Sequence, residues 1–266
     1  MVSVIRILFI GDIVGHPGRR IVKETLAGLV AEHAVDLVLA NGENAAAGVG
    51  ITPALVEELL GAGIAVLTSG NHIFDKKEII PYLAEHPDGR LLRPANYPPA
   101  APGRGFYTGK TGLGVDYAVL NLQGRVFMPT LDCPFRAVET LLASIPPQVK
   151  VRILDLHGEA TSEKIAMGWY LDGRVTAIVG THTHVPTADE TVLPGGTAYI
   201  TDVGMTGPYD SVIGMDKEAV LRKFLTQMPA RYEVGKNDVR LAAVLIEVDS
   251  ETGRALSIRR VGRKQP

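Results

Sequence analysis

The sequence predicts an α/β fold in one domain, residues 1–266, built on two mixed β-sheets. Three observations predict it. Over the first ninety residues, short β-rich apolar runs alternate with helical stretches, an order that implies parallel strands with right-handed crossovers. The alternation resumes between residues 151 and 179. Beyond residue 180 the pattern turns β-dominated, so the sheets are expected to be mixed.

IRILFI (5–10) is a continuous apolar run, as a strand covered on both faces requires. GRRIVKETLAGLVAEH (18–33) carries apolar residues at helical spacing, and DLVLA (36–40) is the second strand. TPALVEELLGAG (52–63) opens with threonine then proline, a helix start. AVLTS (65–69) is the third strand, and KKEIIPYLAEH (76–86) is a helix in which Pro81 marks a kink or break. RLLRPANYPPAAPGRG (90–105) reads as an ordered loop, GVDYAVLNL (114–122) as a strand, and CPFRAVETLLASI (133–145) as a helix stopped by Pro146 and Pro147. Strand VRILDL (151–156), helix SEKIAMGWYL (162–171) and strand VTAIV (175–179) follow. GTAYITDV (196–203), RYEV (231–234), VRLAAVLIEVD (239–249) and ALSIRRV (255–261) are strands. DKEAVLRKFLT (216–226) is a helix, and DSETGR (249–254) is a hairpin turn.

With 266 residues, 46% of them hydrophobic, the chain buries a substantial core. A net charge of −2 provides no polybasic field, which argues against an extended nucleic acid as partner and leaves a small anionic substrate open. Cys133 is the sole cysteine, so no intramolecular disulfide forms. The N-terminus lacks the pattern of a signal peptide, and LAAVLIEV (241–248) is too short to span a bilayer. The expectation is a soluble cytoplasmic protein without a membrane partner; a homo-oligomer stays open.

The informative polar residues fall at strand ends. The first strand runs into Gly11-Asp12, the second into Asn41-Gly42-Glu43-Asn44 and the third into Gly70-Asn71-His72. VRILDL runs into His157-Gly158, and VTAIV into Gly180-Thr181-His182-Thr183-His184. In open α/β sheets ligands bind outside the carboxyl ends of the strands. Taken singly, each residue has a plainer reading. Asp12 suits a turn or N-cap, Asn41 and Asn44 flank a glycine as turn formers do, and a lone histidine is more often structural. Their conjunction changes the balance: of seven histidines, four (His72, His157, His182, His184) lie at these ends, whereas His33 and His86 read as helix-surface residues. Imidazole, carboxylate and amide donors without thiolate suit manganese, iron or zinc. Seven such donors exceed the need of one ion, and two ions bridged by a carboxylate would use them all, with Glu43 the natural bridge.

The stretches FIGDIVGHPGRR, NGENAAAGVGIT, TSGNHIFDKKEI, LLRPANYP, GRVFM, LDCPFR, DLHGEATSEK, GTHTHVPTADE and TDVGMTGPYDSVIGMD resemble the calcineurin-like metallophosphoesterase superfamily, and more closely its YmdB-like branch. The superfamily's usual Asp-x-His is here Asp12-Ile13-Val14, and its usual bridging aspartate is replaced by Glu43, with Asn44 beside it to supply the lost ligand. The resemblance implies a four-layer α/β/β/α sandwich: two packed mixed sheets flanked by helices. It implies one divalent ion on Asp12, Glu43, Asn44 and His184, and another on Glu43, Asn71, His157 and His182. His72 would be the general acid, oriented by Asp75.

Two such cations would neutralise a phosphodiester and lower the pKa of a bridging water, so that the bridging hydroxide attacks in line with the leaving group. The branch implies small cyclic nucleotides, particularly 2′,3′-cyclic ones. The alternative is a metal-containing, nucleotide-binding regulatory protein with little turnover. Arg93, Arg125 and Arg136 are candidates for phosphate or base contacts, with surface solvation as the plainer reading. GMTGPYDSVIG (204–214) could line the pocket, act as a lid or be a structural loop.

Overall fold

A computed structural model describes residues 4–265 of the protein. The first strand, β1 (Val4–Ile10), is apolar on both faces, and the fold buries both. Side chains alternate along a strand, so Ile5, Ile7 and Phe9 share one face while Leu8 and Ile10 share the other. The chain continues through α1 (Gly15–His33), β2 (Leu37–Asn41), α2 (Pro53–Gly61), β3 (Val66–Thr68), α3 (Ile79–Glu85), β4 (Phe106–Lys110), β5 (Asp116–Gln123) and α4 (Pro134–Ser144). It ends with β6 (Val151–His157), α5 (Thr161–Leu171), β7 (Ala177–Thr181), β8 (Thr191–Val192), β9 (Ala198–Ile200), β10 (Gly207–Pro208), α6 (Lys217–Thr226), β11 (Val239–Asp249) and β12 (Ala255–Lys264).

Two mixed six-stranded sheets result. In the first, β1 pairs parallel with β2 and antiparallel with β11; β2 carries β3, and β11 also pairs with β10 and β12. The second has the order β4-β5-β6-β7-β9-β8, parallel at its centre and antiparallel at both edges. Ile7, Phe9, Val244 and Ile246 of the first sheet meet Val119, Ile153, Val179 and Ile200 of the second, so the sheets pack face to face. α1, α2 and α3 cover the outer face of the first sheet, and α4 and α5 that of the second. This is the expected four-layer sandwich. No helix among the described residues is long and apolar enough to cross a membrane.

The elements differ from expectation where sequence signals are weak. Pro81 neither breaks nor kinks a helix, because α3 begins at Ile79 and Pro81 lies in its first turn, where its missing N–H had no intrahelical acceptor. RYEV forms no strand; only Val234 makes an isolated bridge, to Met215. β4 went unpredicted because it is an edge strand with no buried residue. The 204–214 segment is ordered by β10 and by hydrogen bonds from Thr206 N to Asp12 O and from Val14 N to Thr206 O.

Candidate metal centre

Parallel neighbours bring strand ends together. β1, β2 and β3 of one sheet, and β6 and β7 of the other, end at a common edge, and the residues just beyond them meet there. Glycine 70 makes the closest approach possible. A Cβ built on it would lie 2.1 Å from the His157 ring, so any side chain at this position would expel the imidazole.

His157, wholly buried, is the focus. Its Nε2 lies 3.0 Å from Glu43 Oε1, 3.0 Å from Asn71 Oδ1 and 3.1 Å from His182 Nδ1. One ring nitrogen can satisfy one of these partners as donor or acceptor, not all three. Glu43, His157 and His182 together offer ligand atoms all within 4.8 Å of one another, the spacing of a cation site. The other face of the ring cluster holds Asp12, Asn44 and His184. Asn44 Nδ2 donates to Glu43 Oε1 at 3.2 Å and lies 3.1 Å from His184 Nε2. Asp12 Oδ2 accepts the His182 N–H at 3.2 Å, while its Oδ1, buried and 3.9 Å from His184 Nε2, has no hydrogen-bond partner among the described residues. All seven donors expected from the sequence thus come together.

Both loop histidines adopt left-handed backbone conformations, His182 at φ 101° and His184 at φ 66°. Such residues persist only where the surroundings hold them. Asp202, wholly buried, accepts from Thr183 N at 3.1 Å and from Gly204 N at 2.8 Å. The ammonium of buried Lys164 donates to Asp202 Oδ2 at 2.9 Å and to Thr181 O at 2.7 Å. Ile213 O accepts from His184 Nδ1 at 2.8 Å, which directs Nε2 towards Asn44 and Asp12.

A similar layer fixes His157. Its Nδ1–H donates to Thr181 Oγ1 at 2.9 Å, and that hydroxyl donates to Asp155 Oδ1 at 2.7 Å. Asp155 also accepts from Asn41 Nδ2 and Thr68 Oγ1. This hydroxyl-relayed carboxylate sets the tautomer and leaves Nε2 to face the centre. Burial pushes the Asp155 carboxyl up to about 6, against the pull of His157. Burial also opposes charge on Glu43 and His157, but their mutual attraction prevails: Glu43 is held down to about 2 and His157 up to about 9. His182 is pushed down to about 3 by burial and by His157 beside it. Burial raises Asp12 despite the nearby histidines.

His72, expected as an acid, stands beside this cluster rather than in it. Its N–H donates to Glu43 Oε2 at 3.2 Å, and its Nδ1 lies 2.7 Å from Asp75 Oδ2, the contact the sequence suggested. Glu159, not anticipated, lies 3.2 Å from His182 Nε2. Arg93 departs from its candidate role. Its guanidinium donates to the carbonyls of Pro94, Ala101 and Pro102, so it braces the 93–102 loop and has little left for a phosphate. Arg125 and Arg136 are exposed and line a cavity of 660 Å³ with Tyr97, Asp132 and Cys133.

The donor set fits divalent cations. Nitrogen and oxygen ligands of mixed hardness surround an over-subscribed imidazole nitrogen and an orphaned carboxylate oxygen, and no thiolate takes part.

The family model for YmdB-like protein matches residues 8–261, nearly the whole chain. The chain belongs to the YmdB-like family. It is 48% identical over 256 residues to the 2′,3′-cyclic-nucleotide 2′-phosphodiesterase of Bacillus subtilis, covering 96% of each chain. A crystal structure of a Thermus thermophilus protein superposes with a TM-score of 0.91 at 42% identity, covering 98% of this chain and 100% of that one. So does a Mycoplasma pneumoniae protein described as a novel phosphatase, with a TM-score of 0.91 at 36% identity over 99% of this chain and 95% of that one. Against this YmdB-like frame the sequence overlooked the residues that support the cluster. Asp155 interrupts the apolar strand VRILDLH and Lys164 lies within α5; a charge inside an apolar strand was the one available signal.

Proposed function

We propose that the protein is a metal-dependent phosphodiesterase acting on nucleoside 2′,3′-cyclic phosphates. One observation carries the reading: His157 Nε2 is approached at 3.0–3.1 Å by a carboxylate, an amide oxygen and a second imidazole, while Asp12 Oδ1 beside them has no partner among the described residues. A buried arrangement of this kind is costly without a cation. The substrate named for the Bacillus subtilis relative supports the substrate class.

Asp12, Glu43, Asn44 and His184 would hold one ion and Glu43, Asn71, His157 and His182 a second, with iron or manganese, then zinc, suited to these donors. Bound cations supply positive charge for the phosphate oxygens and bring the pKa of a water towards about 7. The chain's own groups do the rest. Asp155 and Thr181 keep His157 in one tautomer. Asp75 holds the Nδ1–H of His72, so the transferable proton resides on Nε2. In the proposed reaction water adds its hydroxyl to phosphorus, the P–O2′ bond breaks, and His72 protonates the departing O2′. The products are a free 2′-hydroxyl and a 3′-phosphate monoester, and the second proton of water restores His72.

Incubation of the manganese-loaded protein with 2′,3′-cyclic AMP tests this. The expected product is adenosine 3′-phosphate, and His72→Ala is expected to lower kcat by about 10²–10⁴-fold at unchanged metal content. A metal-loaded protein with no turnover, or full turnover by His72→Ala, overturns the reading.

A further inference from the structure

Gln123, the last residue of β5, pairs in register with His157, and the next residue, Gly124, donates its N–H to His157 O at 2.9 Å. The turn that follows therefore starts at the wall of the metal centre. Glu163, in the first turn of α5, holds that turn in place by accepting from Arg125 N at 3.0 Å and from Val126 N at 3.2 Å. Phe127, two residues beyond Arg125, is 88% exposed at φ 61°. A strained, unshielded aromatic residue costs the fold something, and such costs concentrate at functional turns.

Arg125 of this turn lines the 660 Å³ cavity, which is within the size range of small-molecule sites. Its base is preformed. Asn96, buried, accepts from Gln123 N at 2.9 Å and donates to Gln123 O at 2.8 Å and to Asp132 O at 2.9 Å, tying the end of β5 to the segment leading into α4. Tyr97 lines it and packs edge-on against Phe74, two residues from His72, with ring centroids 5.4 Å apart. Burial and the charges of Glu43 and Asp75 raise the Tyr97 hydroxyl pKa, which puts this ring within electrostatic reach of the centre. Arg125 and Arg136 complete the lining, and among the described residues neither has a carboxylate within 4.0 Å or a side-chain hydrogen bond.

We infer that this cavity binds the nucleoside of the substrate, with Arg125 and Arg136 as specificity-determining contacts and Tyr97 as an apolar wall. The inference rests on the phosphodiesterase reading and deepens it. A cyclic phosphate at the metal centre leaves the ribose and base to occupy adjoining space, and guanidinium groups both stack on bases and donate paired hydrogen bonds to their edges. The phosphate's charge is met at the centre, so unpaired arginines beyond it have a base or ribose to contact.

Two variants test it: the double substitution Arg125→Ala/Arg136→Ala, and Thr140→Trp, which fills the cavity from the exposed face of α4. The readout is the ratio of kcat/KM for 2′,3′-cyclic AMP to that for bis(4-nitrophenyl) phosphate, a diester without a nucleoside. Each variant is expected to lower that ratio by roughly tenfold or more, mainly through KM, the scale of lost hydrogen bonds to charged groups. Calorimetric titration with 2′,3′-cyclic AMP should show a similar loss of affinity. Parallel losses on both substrates with unchanged nucleotide affinity overturn the inference. A wild-type protein that binds the nucleotide through these residues but hydrolyses neither diester would sink the phosphodiesterase reading and leave the subsite standing.

Discussion

The two halves of the donor cluster are built differently. Around His157 the Glu43, Asn71 and His182 atoms close to 3.0–3.1 Å, and Thr181 and Asp155 support the ring from behind. Around Asp12 the contacts are looser: His184 stands 3.9 Å away, one carboxylate oxygen has no partner among the described residues, and Asn44 is shared between Glu43 and His184. The first half holds an internal ion pair at an over-subscribed nitrogen, which an incoming cation must displace. The second holds an unsatisfied acceptor and so invites one. Close contact and an unmet acceptor are thus divided between two halves that share Glu43.

The largest effect that could break this contrast is loss of His157. His157→Ala removes the ring on which three donors converge and is expected to lower metal occupancy and turnover by more than roughly 100-fold, beyond the range found for supporting residues. Elemental analysis and activity on the same preparation check it; retained metal at both positions would show that the ring is structural only. Thr181→Val leaves the donors in place but unties His157 Nδ1. A drop of about 10–100-fold in affinity is expected, confined to one of two binding steps in a metal titration. Equal weakening of both steps would erase the distinction between the halves.

The proton on His157 sharpens the comparison further. Its folded value near 9, raised from the usual 6.5, means that the metal-free chain keeps this imidazole charged at neutral pH. Metal must displace that proton, so affinity should rise about tenfold per pH unit from 6.5 to 9 and level off above. Stability of the metal-free fold should run the opposite way. The raised value contributes stability that is complete below pH 6.5 and disappears as pH climbs through 9. Isothermal titration and chemical denaturation across that range read the two slopes; a flat affinity profile would remove the charged pair from the account. The smallest effect belongs to the looser half. Asn44→Ala should weaken binding there by about tenfold, the scale of one lost polar contact, and leave the His157 half unchanged.

The convergence of the seven residues was legible in the sequence because each follows an apolar run, and a polar residue where a buried strand stops is conspicuous. The layer behind them was not. Thr181 and Thr68 look like ordinary strand residues; pairing of β6 with β7 brings Thr181 to Asp155, and packing of one sheet on the other brings Thr68 of β3 and Asn41 of β2. Lys164 occupies a helix position indistinguishable from a surface one, yet it is 1% exposed. Arg93 showed the converse, since an arginine in a proline-rich loop resembles a phosphate contact until its carbonyl partners are seen. Strand β4 was missed because nothing in it is buried, and burial is what writes alternation into a strand.

The Lys164–Asp202 pair bears on anyone wishing to transplant this chemistry. The six residues from Gly180 to Val185 look portable, a short ribbon bearing two imidazoles. Their left-handed turns, however, are pinned by an ammonium arriving from a helix sixteen residues upstream and a carboxylate from a strand end some twenty residues downstream. Copied alone, the ribbon would relax. A protein designer would have to import two separate pieces of scaffold to borrow one loop.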